Sequence, residues 1–153
     1  MKNVLIASDH AGFALKEKIK PYLEKQKLWV KDLGAYSKES CDYPHLASRL
    51  AQMISQEEYH RGILICKTGI GSSIVANKFP GVRASLCYNV RAARLTRNHN
   101  DSNVLVLGSL FVNASLAKKI IKAWLNTEFM GGRHQRRLAQ IQKIERQIRC
   151  NKK

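Results

Sequence analysis

Five brief apolar runs, Val4 to Ala7, Trp29 to Leu33, Gly62 to Cys66, Val82 to Leu86 and Val104 to Leu107, recur along the chain. They are β-branched and nearly continuous. A strand with one wet face alternates apolar and polar residues, whereas runs of this kind fit strands buried on both faces, as in a parallel sheet. Helical stripes lie between them: Leu15, Ile19, Tyr22 and Leu23; then Ala47, Leu50, Ala51 and Ile54, starting at Pro44, a favoured first-turn residue; then Ala117, Ile120, Ile121 and Trp124. Strand and helix in alternation imply βαβ units with right-handed crossovers. The fold class expected is therefore α/β, a three-layer α/β/α Rossmann-like domain with a five-stranded parallel sheet. From Gly131-Gly132 to Ile148 a last helix is expected, with a sparse stripe (Leu138, Ile141, Ile148) opposite a basic side, suited to pack across a second subunit. At 153 residues a single domain, 1–153, is the expectation.

Composition narrows the function classes. No apolar run approaches membrane-spanning length, and the first residues enter a strand-like run with no cleavage pattern, so a cytoplasmic protein without membrane association is expected. The four cysteines, Cys41, Cys66, Cys87 and Cys150, form neither a CxxC pair nor a zinc spacing with histidines; no metal or disulfide framework is implied. The formal charge of +16 invites a nucleic-acid reading, but it divides into +7 from residue 133 onward and +9 elsewhere. The few aromatics are not interleaved with it as base stacking requires, so a solvated basic surface is expected and nucleic acid is not.

Ligands of open parallel sheets bind at the strands' carboxyl ends, which directs attention to the residues after each strand. The first run ends in Ser8-Asp9-His10-Ala11-Gly12, a carboxylate and an imidazole before a helix, fit either to bind hydroxyls and phosphate or simply to cap that helix. The third ends in Cys66-Lys67-Thr68-Gly69-Ile70-Gly71, a thiol followed by a glycine-rich turn whose amides can gather around developing negative charge; inert packing is the competing reading. That turn lacks the third glycine of a dinucleotide fingerprint and the Gly-Lys-Ser/Thr of a phosphate loop, so no nucleotide cofactor is implied. Asn98-His99-Asn100-Asp101 offers a titratable imidazole at the site's rim or an ordinary surface loop. Arg133 and Arg137, one helical turn apart, present either two guanidinium forks for one phosphate or a solvated face.

These segments, with Asp42-Tyr43-Pro44-His45, Ala76-Asn77-Lys78, Ser102-Asn103-Val104 and Gly131-Gly132-Arg133-His134-Gln135, resemble the ribose-5-phosphate isomerase type B family and its relatives that isomerise galactose 6-phosphate and allose 6-phosphate. The resemblance implies an aldose–ketose isomerase of the pentose phosphate pathway, without cofactor or metal, converting ribose 5-phosphate to ribulose 5-phosphate through an enediolate. It implies that Cys66 carries the proton between C1 and C2 with help from Thr68, and that His99 opens the furanose ring. Amides from Lys67 to Gly71, including Gly69 and Ile70, would hold the enediolate oxygen. Asp9, Asn100 and Tyr43 would line the sugar, and His10, Arg133 and Arg137 would take the phosphate. A homodimer or dimer of dimers with shared active sites is also implied, the His99 region and the phosphate-binding arginines coming from opposite sides of the interface.

Two positions depart from the family's pattern. It usually has glycine where Lys67 stands and arginine where Leu110 stands. Either Lys67 strains the backbone or it projects an ammonium beside Cys66, replacing the charge lost at Leu110. A six-carbon sugar phosphate and a non-catalytic polyanion-binding role are the alternatives to ribose 5-phosphate.

Overall fold

The structure, a computed structural model, describes residues 3–150; the outermost residues of the expected 1–153 domain, with Lys152 and Lys153 of the basic tail, lie outside the described residues. The element order is β1 (Asn3–Ser8), α1 (Phe13–Lys25), β2 (Trp29–Asp32), α2 (Tyr43–Ser55), β3 (Gly62–Cys66), α3 (Ile70–Ala76), β4 (Ala84–Leu86), α4 (Val90–Asn100), β5 (Val104–Gly108), α5 (Ala114–Asn126) and α6 (Arg133–Cys150). All pairings are parallel, in the order β2-β1-β3-β5-β4. The expected three-layer α/β fold is what forms.

Side chains alternate across the sheet and divide the core in two. Val4, Ile6, Ile63, Ile65, Leu105 and Leu107 pack under α1, α4 and α5 around the fully buried Trp124. Leu5, Ala7, Leu64, Val104 and Val106 pack under α2 and α3. The three inner strands are buried apart from Asn3 at the start of β1, whereas the edge strands β2 and β4 are at most half-buried, so continuous apolar character predicted burial correctly for β1, β3 and β5 alone. The expected strand from Val82 shortens to Ala84–Leu86. Val82 closes a turn onto Phe79 O, and the Arg83 amide donates to the Asn103 side chain as well as lying beside the sheet. Helices α3 and α4 carried no apolar stripe for the sequence reading to find: α3 starts inside the glycine-rich turn, and α4 buries only Ala93 and Arg97. No helix among the described residues is long and apolar enough to cross a membrane.

One buried ion pair ties the β2–α2 connection to the mouth of β1. Lys16, fully buried on α1, donates from Nζ to Asp32 Oδ1 and to Ala35 O, each at 2.6 Å, and Lys20 Nζ lies 2.9 Å from Asp32 Oδ2. Asp32 Oδ1 also accepts from Gly34 N at 2.9 Å, and Gly34 O accepts from Ser8 N at 2.6 Å. Burial works to raise the Asp32 pKa, but the bonds from Lys16, Lys20 and Gly34 N–H together hold it below the ordinary carboxylate value. Asp32→Asn leaves Lys16 as an uncompensated buried cation and is expected to cost about 3–5 kcal/mol, read as a lowered urea midpoint at neutral pH. Because the folded-state pKa is depressed, the parent keeps this contribution above about pH 4 and loses it as pH falls further, which urea titrations across acid pH will register.

Candidate active site

At the carboxyl ends of β1 and β3, short apolar strands give way to polar residues over two or three positions, and parallel register brings these together. Ser8 pairs with Ile65, and the Asp9 amide donates to Ile65 O at 3.2 Å, so Asp9 and Cys66 leave adjacent strands at the same level. Both are more than nine-tenths buried. Asp9 Oδ1 accepts from Gly12 N at 2.8 Å, which closes the turn before α1, but Asp9 is not the helix N-cap expected as one reading of it: Gly12 holds that position, with no side-chain cap bond. The His10 Nδ1 lies 3.2 Å from both the carbonyl oxygen and the amide nitrogen of Cys41, which orients the ring and leaves Nε2 without a protein partner among the described residues.

After Cys66 the chain turns sharply. Gly69 sits at φ +81°, ahead of α3, and its amide donates to Cys66 Sγ at 3.1 Å. A Cβ there would lie 2.3 Å from Leu86 Cδ1, so both backbone conformation and space require glycine. Ile70 N donates to Thr68 Oγ1 at 3.3 Å, which leaves the threonine hydroxyl proton to donate elsewhere. The hydroxyl end of the Tyr43 ring packs against Gly71, where a Cβ would come within 2.4 Å of it. Lys67 is exposed, its backbone lies outside the left-handed region, and its ammonium has no partner among the described residues. Of the two readings of Lys67, the projecting ammonium is therefore the one the geometry allows. Leu110, largely exposed, donates from its amide to Lys67 O at 2.9 Å, so the two departing residues stand side by side.

The sequence reading placed His99 at the rim of this pocket, and the structure corrects that within one chain. His99 lies on the last turn of α4 rather than in a loop, and α4 runs away from the pocket. Tyr88, just before α4, donates from its hydroxyl to Thr68 O at 3.1 Å at the pocket edge; eleven residues at ~1.5 Å each then carry the chain roughly 16 Å to the opposite edge. There Asn103 O accepts from Gly62 N at the start of β3, four strand positions, or roughly 13 Å, from Cys66. His99, Asn100, Arg133 and Arg137 thus form a second group on the strands' amino-end side.

In that group Arg133 and Arg137 are exposed and one turn apart on α6, with no carboxylate partner among the described residues. They stand on the same side of the molecule as His99, not opposite it. His134, between them, stacks on the His99 ring with centroids 4.2 Å apart and planes 8° apart, and Met130 N donates to Asn98 O at 3.1 Å, joining α6 to α4. Burial first, then the neighbouring His99, Arg133 and Arg137, push the His134 pKa below its ordinary value. No cluster of three His, Cys, Asp or Glu side chains placed to hold a metal occurs among the described residues.

Three contacts escaped the sequence. Tyr88 and Ser109, whose Oγ donates to Ala11 O at 3.0 Å and whose amide donates to Cys66 O at 2.9 Å, brace the pocket across long sequence separations that no local spacing announces. His134 did carry a signal, since it precedes the buried Leu138 by four positions on the inward face of α6.

The model of the Ribose/Galactose Isomerase family matches residues 4–141. Ribose-5-phosphate isomerase B of Escherichia coli is 48% identical over 145 residues, covering 95% of this chain and 97% of that protein. The solved structure of Clostridium thermocellum ribose-5-phosphate isomerase B superposes with a TM-score of 0.93 at 44% identity, covering 95% of this chain and 99% of the other. That of the Mycoplasma genitalium ribose-5-phosphate isomerase B with bound ribulose-5-phosphate gives a TM-score of 0.90 at 42% identity, covering 94% and 96%.

Gly69→Ala tests the turn. The methyl group meets both an unfavourable φ and Leu86, so the variant is expected to lose about 2 kcal/mol or more of stability and to displace the amide that faces Cys66. Thermal denaturation and thiol alkylation kinetics at Cys66 would register the two effects separately.

Proposed function

This chain belongs to the Ribose/Galactose Isomerase family, and we propose that it interconverts ribose 5-phosphate and ribulose 5-phosphate in active sites assembled from two copies of the chain. The observation that carries this reading is the division of the site: the thiol, the carboxylate and the amide-lined turn lie at one edge of the sheet, and the imidazole and free arginines at the other. Within one chain the parallel register holds these groups apart. A two-fold pairing that sets the α4–α6 end of one copy over the α3 end of the other unites them twice, since such an interface is self-complementary.

Exposed apolar side chains support that pairing at both ends. Ile70 and Ile74 stand half-exposed on α3 beside the pocket, and Ile141, Ile144 and Ile148 form an uncovered stripe along α6. The chain then acts as a homodimer, or as a pair of such dimers, in the cytoplasm.

The chemistry follows from the two groups. His99 of one copy takes the proton of the anomeric hydroxyl and returns a proton to the ring oxygen, opening the furanose. The sulfur of Cys66 in the other copy removes the C2 proton of the open aldose, and electrons shift onto O1 to give the enediolate. Of the amides from Lys67 to Gly71, those of Gly69 and Ile70 are given to Cys66 Sγ and Thr68 Oγ1, the rest of the turn faces the developing oxyanion, and the free hydroxyl proton of Thr68 serves the exchange between O1 and O2. Return of the proton to C1 completes the ketose. The reaction moves protons between adjacent carbons and oxygens without net oxidation, so it needs no redox cofactor. Asp9 and Asn100 hold sugar hydroxyls, Tyr43 closes the wall, and His10, Arg133 and Arg137 take the phosphate. Lys67 contributes the charge that Leu110 does not.

With a chelator present, the parent chain is expected to convert ribose 5-phosphate, and Cys66→Ala and His99→Ala each to lose that activity. Unfolded together and refolded as a mixture, the two inactive variants are expected to regain roughly a quarter of the parent rate, the share that random pairing of subunits provides. No recovery on mixing would place both groups in one chain's site and refute the shared arrangement. Lys67→Gly is expected to raise KM for the sugar phosphate several-fold with a smaller effect on kcat; an unchanged or lower KM removes Lys67 from phosphate binding.

A further inference from the structure

Among the buried ionisable side chains that the proposed reaction leaves without a task, His134 lies against the group given the ring-opening role. His134, on the first turn of α6, is 5% exposed, and its Nε2 is buried with no hydrogen-bond partner among the described residues. A buried polar atom left unpaired is a standing cost, one that an apolar ring at the same place would not incur. Its principal side-chain contact is the parallel stack on His99, at 4.2 Å and 8°. The groups facing it are His99 from α4 and Arg133 and Arg137 from its own helix, all of which, with burial, disfavour a proton on His134. The His134 ring lies flat against the ring that the proposed reaction protonates and deprotonates.

We infer that His134 is a positioning residue for His99: it backs one face of the catalytic imidazole and so fixes the direction in which the ring's nitrogens meet the sugar. This rests on the reading of His99 as the ring-opening acid and base. A histidine ring free to turn about its side-chain bonds would meet the anomeric hydroxyl and the ring oxygen only part of the time. Stacking removes that freedom on one face while leaving the ring edge, where the nitrogens lie, open to substrate. The same contact joins α4 to α6, and the Met130–Asn98 hydrogen bond one residue from His99 holds the backbone beneath it.

The test separates ring opening from enediolate chemistry. Ribulose 5-phosphate cannot close a furanose because its C5 oxygen carries the phosphate. Exchange of its C1 hydrogen with deuterium oxide, followed by proton NMR, therefore reports Cys66 chemistry without ring opening. For full-length His134→Ala, kcat on ribose 5-phosphate is expected to fall about 10- to 100-fold, KM to stay within about twofold, and C1 exchange to persist. His134→Phe, which restores a flat ring without a titratable nitrogen, is expected to recover most of kcat. Should alanine unfold the protein, His134→Leu supplies the non-stacking variant. Parent-like kcat, a raised KM in place of a lowered kcat, loss of exchange in proportion to kcat, or no rescue by phenylalanine would each overturn the inference. His99→Ala run alongside tests the underlying reading: if it keeps the parent kcat, ring opening by His99 is wrong whatever His134 does, whereas its loss beside an unaffected His134→Ala refutes positioning alone.

Discussion

Parallel pairing of β3 between β1 and β5 is the constraint on which the rest of this molecule depends. It buries β3 on both faces, which demands the unbroken apolar run from Gly62 to Cys66, and it gives the sheet a polarity in which every strand ends at one edge. Cys66 leaves that edge beside Asp9 because Ser8 and Ile65 are in register. His99 is excluded from it because α4 must return the chain to the opposite edge before β5 can begin. The same hydrogen bonds that bring Cys66 beside Asp9 thus keep His99 about a strand's length away.

The pocket is held by backbone more than by side chains. The Cys41 main chain grips His10, the Gly69 amide meets the Cys66 sulfur, and Ser109 and Tyr88 donate to main-chain carbonyls of the turns after β1 and β3. Backbone groups lose little conformational entropy when a ligand arrives, so such a pocket is preorganised toward charge that appears during reaction. Its other support is the buried Lys16–Asp32 pair, which fastens the β2–α2 connection against β1 while carrying no chemistry itself.

The large positive charge has a similar division of labour. Part of it is internal: Arg97 Nη1 and Arg83 Nη2 bond to Asp101 at 2.6 and 2.9 Å, and Arg61 stacks over Trp124 while donating to Ser102 O. Burial, with repulsion from Arg97 and Arg83, brings the Arg61 pKa down to about 10. These guanidiniums hold the α4–β5 turn and are structural. Arg133 and Arg137, by contrast, are exposed on α6 with no carboxylate partner among the described residues. Net charge alone did not distinguish the two uses.

Much was legible before any coordinates. The apolar runs marked all five strands, most clearly the inner β1, β3 and β5, where burial on both faces leaves a continuous signature, and strand ends pointed to Asp9, Cys66 and the glycine-rich turn. Edge boundaries such as Val82 were less legible, since edge strands are half-exposed, and α3 and α4 were silent because their inward faces carry glycine, serine, alanine and an arginine rather than a stripe. What the sequence by itself determined was the class of fold, the family resemblance and the inventory of chemical groups, since these depend on local pattern and residue type. Only the tertiary structure decided which groups share an edge, that His99 stands with the arginines and away from Cys66, and that His134 lies flat against it. Those relations are set by strand register and helix direction, which join residues tens of positions apart and leave no mark on local spacing.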